Sequence, residues 1–97
     1  MLKITRRVEY ALIAMRHLQN EGEDKTVSVK EISDKYCIPR ELLAKILQKL
    51  GKHNIVISVR GSSGGYKITK NSNNIKMINF FEILEGPLGL MDCYFES

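Results

Sequence analysis

The segment SVKEISDKYCIPRELLAKILQKLGKHNIVISVRGSSGGY, residues 28–66, determines the predicted fold. It sets out a short capped helix, a turn, a second helix rich in lysine, and a β-ribbon tipped by Arg60 to Tyr66. This order predicts a mainly α fold with a small β-ribbon, the winged helix-turn-helix. Such a motif serves to place its second helix in the major groove of DNA, so the segment points to a DNA-binding domain.

The helix before the turn, predicted over residues 29–35, has the clearest start signal in the chain. Ser28 and Glu31 have the spacing of a capping box, in which each side chain pairs with an otherwise unsatisfied backbone N–H of the first turn. Val27 and Ile32 occupy the positions of a hydrophobic staple around that box. Together these signals predict where the helix begins.

The second helix is predicted over residues 40–53, after a turn at residues 36–38 and with Pro39 at its entry, where no N–H is needed. Its apolar side chains form one face: Leu43, Ile46, Leu47 and Leu50. The opposite face carries the groups that a major groove would meet: Glu41, Lys45, Gln48, Lys49 and Lys52. Gly51 costs about 1 kcal/mol relative to alanine, so the last turn is expected to fray. Asn54 suits a left-handed residue after it.

The flanking segments predict a further helix on each side and the two strands of the ribbon. Residues 6–19 read as a helix ended by Gly22, with an apolar stripe of Val8, Ala11, Leu12, Met15 and Leu18. The β-branched residues 55–59 and the segment 66–69 read as paired strands, followed by a polar loop over residues 70–74. A last helix is predicted over residues 77–85 and is stopped by Gly86-Pro87.

Charge is distributed very unevenly along the chain. Residues 1–39 carry a net charge of +1, residues 40–76 carry +7, and residues 77–97 carry −4. The basic block covers the second helix of the motif and the ribbon, which is the electrostatic footprint of a protein that binds a polyanion. The alternative is a lysine-rich surface that faces only water.

Length and composition restrict the class of protein. With 97 residues, 43% of them hydrophobic and 27% charged, the chain fits one globular domain. It has no apolar run long enough for a membrane span, and its first residues lack the apolar region of a signal peptide. A cytoplasmic protein is therefore expected.

No arrangement of residues predicts catalysis or a metal centre, so the chain is not expected to be an enzyme. Cys37 and Cys93 form no C-x-x-C pair, and no disulfide is expected between them in a reducing compartment. His17 and His53 have no partners at metal-ligand spacing and are predicted to lie on the surface, while Cys37 is predicted to pack as a small apolar residue. The glycine-rich tip lacks the G-K-[ST] sequence and following helix of a nucleotide-binding loop.

The same residues resemble one family of bacterial proteins, the Rrf-two (Rrf2) winged-helix transcription regulators, over essentially the whole chain. The most specific part is the arginine–glycine ribbon followed by Gly-Gly-Tyr. The matching segments are Lys3-Ile4-Thr5, Tyr10-Ala11, Glu31-Ile32-Ser33, Leu43-Ala44-Lys45-Ile46-Leu47-Gln48-Lys49-Leu50, Ser58-Val59-Arg60-Gly61, Gly64-Gly65-Tyr66, and Glu85-Gly86-Pro87-Leu88 running to Cys93.

The resemblance implies a homodimeric regulator, usually a repressor, that binds a palindromic operator. It maps the start of the recognition helix onto residues 39–45 and the wing onto residues 58–64. Leu42 and Ala44 stand where some relatives place a tyrosine and a glutamate, so the operator sequence does not carry over. Relatives usually continue past Cys93 with two more cysteines and a long dimer-building helix. Either the chain is a truncated form or this member lacks both the sensor and the dimer helix, and its own oligomeric state is left open.

These observations define a predicted interface with double-stranded DNA. Phosphate contacts are expected from Lys3, Lys45, Lys49, Lys52 and Lys67, and base contacts from Arg40, Glu41 and Gln48. Arg60 is expected in the adjacent minor groove, where the neighbouring glycines permit close approach; an ordinary hairpin with a loose loop is the alternative. The predicted interface also includes Thr5, Ser28, Pro39, Leu42, Ser58, Gly61, Ser62, Ser63 and Gly64.

Two further possibilities concern the end of the chain. Residues 1–76 are predicted as the DNA-binding domain, and residues 77–97 as a helix with a truncated effector or dimerisation region. The acidic segment 77–97 would alternatively dock a protein partner, which would make the winged helix an interaction module. Cys93 would be an iron–sulfur ligand in a longer redox-sensing form, but a three-cysteine site cannot be assembled from this chain, so no cofactor is expected here.

Overall fold

The computed structural model describes residues 5–95, with the description limited to the backbone at residue 71 and at residues 87–95. Along the chain lie α1 (Arg6–Glu21), α2 (Val29–Tyr36), α3 (Arg40–Lys52), β1 (Val56–Val59), β2 (Gly65–Ile68), a 3₁₀ helix (Lys70–Asn73) and α4 (Met77–Phe95). The two strands form one antiparallel ribbon. This architecture confirms the predicted mainly α winged helix-turn-helix.

α1 is capped at its start by Thr5, whose hydroxyl accepts a hydrogen bond from the Val8 amide at 3.2 Å. Its last residue is Glu21, two residues later than predicted, and the predicted Gly22, where φ is 95°, closes it. The predicted stripe is buried except at Leu12, which is 36% exposed. Leu12 belongs to the predicted apolar stripe but faces an open groove between α1 and α4 beside Met77.

α2 begins at the predicted cap, with the Ser28 hydroxyl accepting a hydrogen bond from the Glu31 amide at 3.0 Å. The staple residues Val27 and Ile32 are both fully buried, as predicted. The Glu31 carboxylate, which a capping box would direct back to Ser28, lies 2.9 Å from the Nε2 atom of His17. The helix is thus fixed by one half of the predicted box and by a contact with α1.

The turn of the motif departs from the prediction at Cys37. This residue closes α2 in the left-handed conformation, with φ at 56°, and its side chain is exposed. The prediction that Cys37 packs as an apolar residue was wrong, because the left-handed turn moves it to the surface and places Ile38 in the core, 2% exposed. The Ser33 hydroxyl donates to the Ile38 carbonyl at 2.6 Å and fixes the turn.

α3 buries the predicted apolar face, formed by Leu43, Ile46, Leu47 and Leu50, against α1 and α2. It ends at Lys52, one residue earlier than predicted. Asn54 has a φ of 61°, which confirms the left-handed residue expected after the helix. The chain then turns directly into the ribbon.

The ribbon pairs Val56 with Ile68 and Ser58 with Tyr66. β1 is one residue shorter than the predicted segment, since Ile55 precedes it, whereas β2 has the predicted length but is shifted by one residue, since it begins at Gly65 and Thr69 follows it. A third segment, not predicted, joins the ribbon: Val27 and Tyr66 exchange backbone hydrogen bonds of 2.9 and 2.8 Å. Val27, the residue before the cap of α2, is therefore tied to the ribbon.

α4 completes the core. Phe80, Phe81 and Leu84 are buried in the same hydrophobic cluster as the apolar faces of α1 and α3. The helical backbone is broken at Gly86, where φ is 76°, as predicted, but it resumes and continues to Phe95. Pro87 is compatible with the resumption, because proline is tolerated in the first turn of a helix. The functional boundary after residue 76 stays a prediction.

Within the described range, no helix is long and apolar enough to cross a bilayer.

Candidate nucleic-acid interface

α3 presents one continuous polar face to solvent. Six of the side chains predicted to meet DNA from this helix are exposed: Arg40, Glu41, Lys45, Gln48, Lys49 and Lys52. Leu42 is half-buried, as is Ala44. Because the apolar residues face the core, the helix keeps an accessible outer surface, and a major groove admits an α-helix.

The outer face of α3 and the ribbon border a common groove. This open groove of about 570 Å³ is lined from α3 by Gln48 and Lys52, and from the ribbon by Ser58 and Tyr66. Two parts of the interface that are separated in sequence therefore lie side by side. A ligand that follows α3 meets β1 next.

The ribbon turn projects a cation on a backbone with small side chains. Arg60, Gly61, Ser62 and Ser63 are all exposed. The turn closes on itself through a hydrogen bond from the Gly64 amide to the Gly61 carbonyl at 3.0 Å. The guanidinium of Arg60 is thus carried at the tip of a short, internally bonded loop.

The glycines at the end of this turn have a structural reason that lies inside the protein. A Cβ on Gly65 would overlap the Val27 carbonyl, and one on Gly64 would stand 2.5 Å from the Val59 carbonyl. A Cβ on Gly61 would meet nothing within 4 Å. Gly64 and Gly65 are therefore required by close packing inside the protein. The predicted contact of Gly61 and Gly64 with DNA stays a prediction.

The lysines predicted to contact phosphate do not all lie at the groove between α3 and the ribbon. The Lys49 ammonium lies 3.4 Å from the Leu84 carbonyl, at the end of the first segment of α4. Lys67 pairs with Ile57, on the ribbon face opposite to the buried Val56. Lys3 lies outside the described residues, so its predicted contact is neither supported nor weakened.

Thr5, Ser28 and Pro39 each stand at the start of a helix. The hydroxyls of Thr5 and Ser28 accept hydrogen bonds from helix amides, and Pro39 directly precedes α3 without a side-chain cap. Helix starts favour anions because their backbone N–H groups and dipole point outward. Their predicted DNA contacts fit this chemistry and stay predictions.

The two histidines were predicted to lie on the surface. This was correct for His53, which is exposed, and wrong for His17, which is 5% exposed. The His17 ring is held between two helices: Nδ1 lies 2.9 Å from the Tyr36 hydroxyl and Nε2 lies 2.9 Å from Glu31. Sequence reasoning missed this cluster because its members are 14 and 19 residues apart and join only when α1 packs on α2.

The cysteines give no assembled cluster site in the part of the chain that is described. Cys37 is exposed in the turn between α2 and α3. The side chain of Cys93 lies outside the described residues, so its role as an iron–sulfur ligand stays a prediction. The expectation that the 97-residue chain holds no cofactor likewise stays a prediction.

Comparison with known proteins identifies a consistent group of relatives. The profile of a family named Rrf2 and described as "Iron-dependent Transcriptional regulator" matches residues 4–97. A protein described as an HTH-type transcriptional regulator of Aquifex aeolicus is 38% identical over 76 residues, which cover 78% of this chain and 52% of the relative. An rrf2-like regulator of Rhodobacter capsulatus is 30% identical over 97 residues, covering 97% of this chain and 65% of the relative.

A solved structure supports the same assignment at the level of the fold. The structure of CymR, the global cysteine regulator of B. subtilis, is similar with a TM-score of 0.79 and 29% identity, over 90% of this chain and 67% of that one. The present chain spans only about half to two thirds of the length of the relatives from Aquifex and Rhodobacter.

Proposed function

Since the chain belongs to the Rrf2 family, we propose that it binds double-stranded DNA and regulates transcription, without catalysing a reaction. The observation that carries the proposal is the common groove between the polar face of α3 and the ribbon, with Lys52 on one side and Ser58 on the other. As a regulator of a bacterial chromosome, the protein would act in the cytoplasm.

α3 would lie in the major groove. Its base contacts would come from Arg40, Glu41 and Gln48, and its phosphate contacts from Lys45 and Lys52. Arginine and glutamine pair with guanine and adenine edges, and glutamate accepts from cytosine, so this set can discriminate bases. The exposure of all five side chains on one helix supports the assignment.

The ribbon would act as the wing, with Arg60 at the adjacent minor groove. An arginine on a small-residue turn suits that groove, because the groove is narrow and its potential is negative. The exposure of Arg60, Gly61 and both serines supports this position.

The family further supports repression by a homodimer on a palindromic operator. Two-fold symmetric binding places two copies of α3 one helical turn of DNA apart. The element that builds such a dimer in longer relatives would follow α4. Cys93 would then serve as an iron–sulfur ligand in a form that supplies the remaining cysteines.

Fluorescence anisotropy on an operator selected from genomic fragments tests the wing directly. Arg60→Ala should weaken binding by about 1–3 kcal/mol, because one groove contact is lost. Arg16→Ala is the matched control, since Arg16 is exposed on α1 beside α4 and away from the groove of α3. Equal affinity of the two variants would remove the wing from the mechanism.

The salt dependence of the same titration separates DNA binding from a protein-interaction module. The logarithm of the affinity should fall with the logarithm of salt concentration at a slope of about −0.9 for each phosphate neutralised. A wild-type chain with no measurable affinity for any duplex at low salt would contradict the proposed function.

A further inference from the structure

Three ligand-type side chains meet where α1 ends and α2 begins: His17, Glu21 and Glu31. One ligand atom from each lies within 4.8 Å of the other two. The Nε2 atom of His17 stands 2.9 Å from a Glu31 oxygen and 3.7 Å from a Glu21 oxygen. Ligands of one metal ion bond it at about 2.0–2.2 Å and so stand about 3–4 Å apart. The two distances from Nε2 of His17 are close to that spacing, and the two carboxylate oxygens stand within 4.8 Å of each other.

The burial of the three side chains differs in a way that suits ion entry. The His17 side chain is 6% exposed, whereas those of Glu21 and Glu31 are 33% and 45% exposed. The buried imidazole is therefore fixed and directed outward into two accessible carboxylates. Lys25 approaches Glu21 only to 4.0 Å and leaves the carboxylate oxygens open to solvent.

The other side of the imidazole is also held. Nδ1 lies 2.9 Å from the Tyr36 hydroxyl, and the two rings meet edge to face at 85°. A metal-bound histidine characteristically donates its second ring N–H to an oxygen of this kind. When Nδ1 donates to Tyr36, the lone pair of Nε2 faces two carboxylates, and a bound cation relieves that repulsion. A neutral ring that donates from Nε2 to Glu31 is the ion-free alternative.

We propose that His17, Glu21 and Glu31 bind a divalent transition-metal ion, of which Zn²⁺ is the test case. One nitrogen and two carboxylate oxygens, completed by water, form a ligand set that Zn²⁺ accepts. Glu21 is the last residue of α1, and Glu31 lies in the first turn of α2. The ion would therefore join α1 to the first helix of the helix-turn-helix, and it would use no cysteine.

Titration calorimetry with Zn²⁺ on the whole 97-residue chain tests the site, with both cysteines alkylated so that thiolates do not bind the ion. The wild-type protein should take up one equivalent. Glu21→Gln/Glu31→Gln should lose this binding, whereas Glu23→Gln/Glu82→Gln should retain it, because those two exposed carboxylates lie outside the cluster. Both pairs remove the same charge.

Tyr36→Phe adds a readout that charge alone would not move. It should weaken Zn²⁺ affinity about 10–100-fold while one equivalent still binds, because the partner that orients the imidazole is lost. Thermal melts should show a Zn²⁺-dependent rise in Tm for the wild type, for the Glu23/Glu82 pair and, at higher Zn²⁺ concentration, for Tyr36→Phe, but not for Glu21→Gln/Glu31→Gln. If circular dichroism shows that the double variant does not fold, Glu21→Gln alone replaces it in the titration, because this change leaves the His17–Glu31 contact in place.

The absence of saturable binding at one equivalent would overturn the proposal. So would equal Zn²⁺ affinity in the wild type and in Glu21→Gln/Glu31→Gln, since the ion would then bind elsewhere.

Discussion

Single residues at the junction of the ribbon and α2 decide how the wing is held. Val27 and Tyr66 pair through their backbones, and Gly65 lies directly against that pair. The Cβ of any other residue at this position would occupy the space of the Val27 carbonyl. Gly65 is thus required by the contact between two chain segments that are far apart in sequence.

Gly65→Ala should lower the free energy of unfolding by about 1–3 kcal/mol, because overpacking forces the ribbon away from the start of α2. Urea denaturation followed by circular dichroism measures the change. Ser62→Ala, at an exposed position of the same ribbon, is the control and should stay within about 0.5 kcal/mol of the wild type. Equal urea midpoints for the two variants would show that the overlap of the new Cβ with the Val27 carbonyl is relieved without loss of stability.

At the scale of an element, α3 combines a buried apolar face with an exposed polar one, and its last turn contains a glycine. Gly51 has no atom closer than 3.9 Å to the position of a Cβ, so its side of the helix has room for a methyl group. Glycine is the weaker helix former because its unfolded backbone has more freedom to lose.

Gly51→Ala should therefore raise the free energy of unfolding by up to about 1 kcal/mol. In a domain of this size that gain corresponds to a rise in Tm of about 4–8 °C. Differential scanning calorimetry measures it. A fall in Tm would mean that the added methyl group clashes with Val56, its nearest neighbour in the structure.

α2 carries a pH-dependent contact on its exposed side. A hydrogen bond from the Lys30 ammonium at 2.9 Å lowers the pKa of Asp34 below its ordinary value of 3.8, with Arg40 contributing in the same direction. Because the pKa of Asp34 is lower in the folded state than in the unfolded state, the contact between Lys30 and Asp34 stabilises the fold at pH values above the unfolded-state pKa. This stabilisation is lost as the pH falls through the folded-state pKa.

Lys30→Ala should return the pKa of Asp34 toward 3.8, as followed by an NMR titration of its carboxyl carbon. Lys35→Ala is the matched control, since it removes an exposed lysine from the same helix that does not bond Asp34. An Asp34 pKa that is the same in Lys30→Ala and the wild type would show that the bond does not persist in solution.

At the scale of the whole molecule, α1, α3 and α4 converge on the backbone just before Gly86. Arg7 and Lys49 each lie 3.4 Å from the Leu84 carbonyl, and Arg7 also pairs with Glu85 at 2.9 Å. A carbonyl at a helix end lacks an intrahelical partner, and basic side chains satisfy it. Lys49 therefore joins α3 to the end of the first segment of α4, whereas Lys52 lines the open groove between α3 and the ribbon.

The two lysines should consequently differ in DNA binding. Lys52→Ala should weaken binding to all sequences alike and reduce the magnitude of the salt slope by about 1, as expected for one lost phosphate contact. Lys49→Ala should change the slope less, because its ammonium already has a partner in the protein. Anisotropy titrations at several salt concentrations compare them, and an equal loss of slope would show that Lys49 leaves Leu84 to reach phosphate.

Local signals in the sequence determined a large part of this protein. Four features depend only on residues within one or two turns of each other, so the spacing of those residues predicted them. They are the cap at Ser28, the left-handed Asn54, the break at Gly86 and the inward face of α3. The exposed polar face of α3 follows from the same periodicity. The basic block 40–76 was likewise visible in the chain itself.

Tertiary packing decided what local spacing could not. His17 is buried because α1 and α2 bring Glu31 and Tyr36 to it, and Cys37 is exposed because the left-handed turn gives its place in the core to Ile38. The bond between Val27 and Tyr66, and that between Lys49 and Leu84, each join residues more than 30 positions apart. Such contacts depend on how whole elements pack, and no periodicity within one element encodes them.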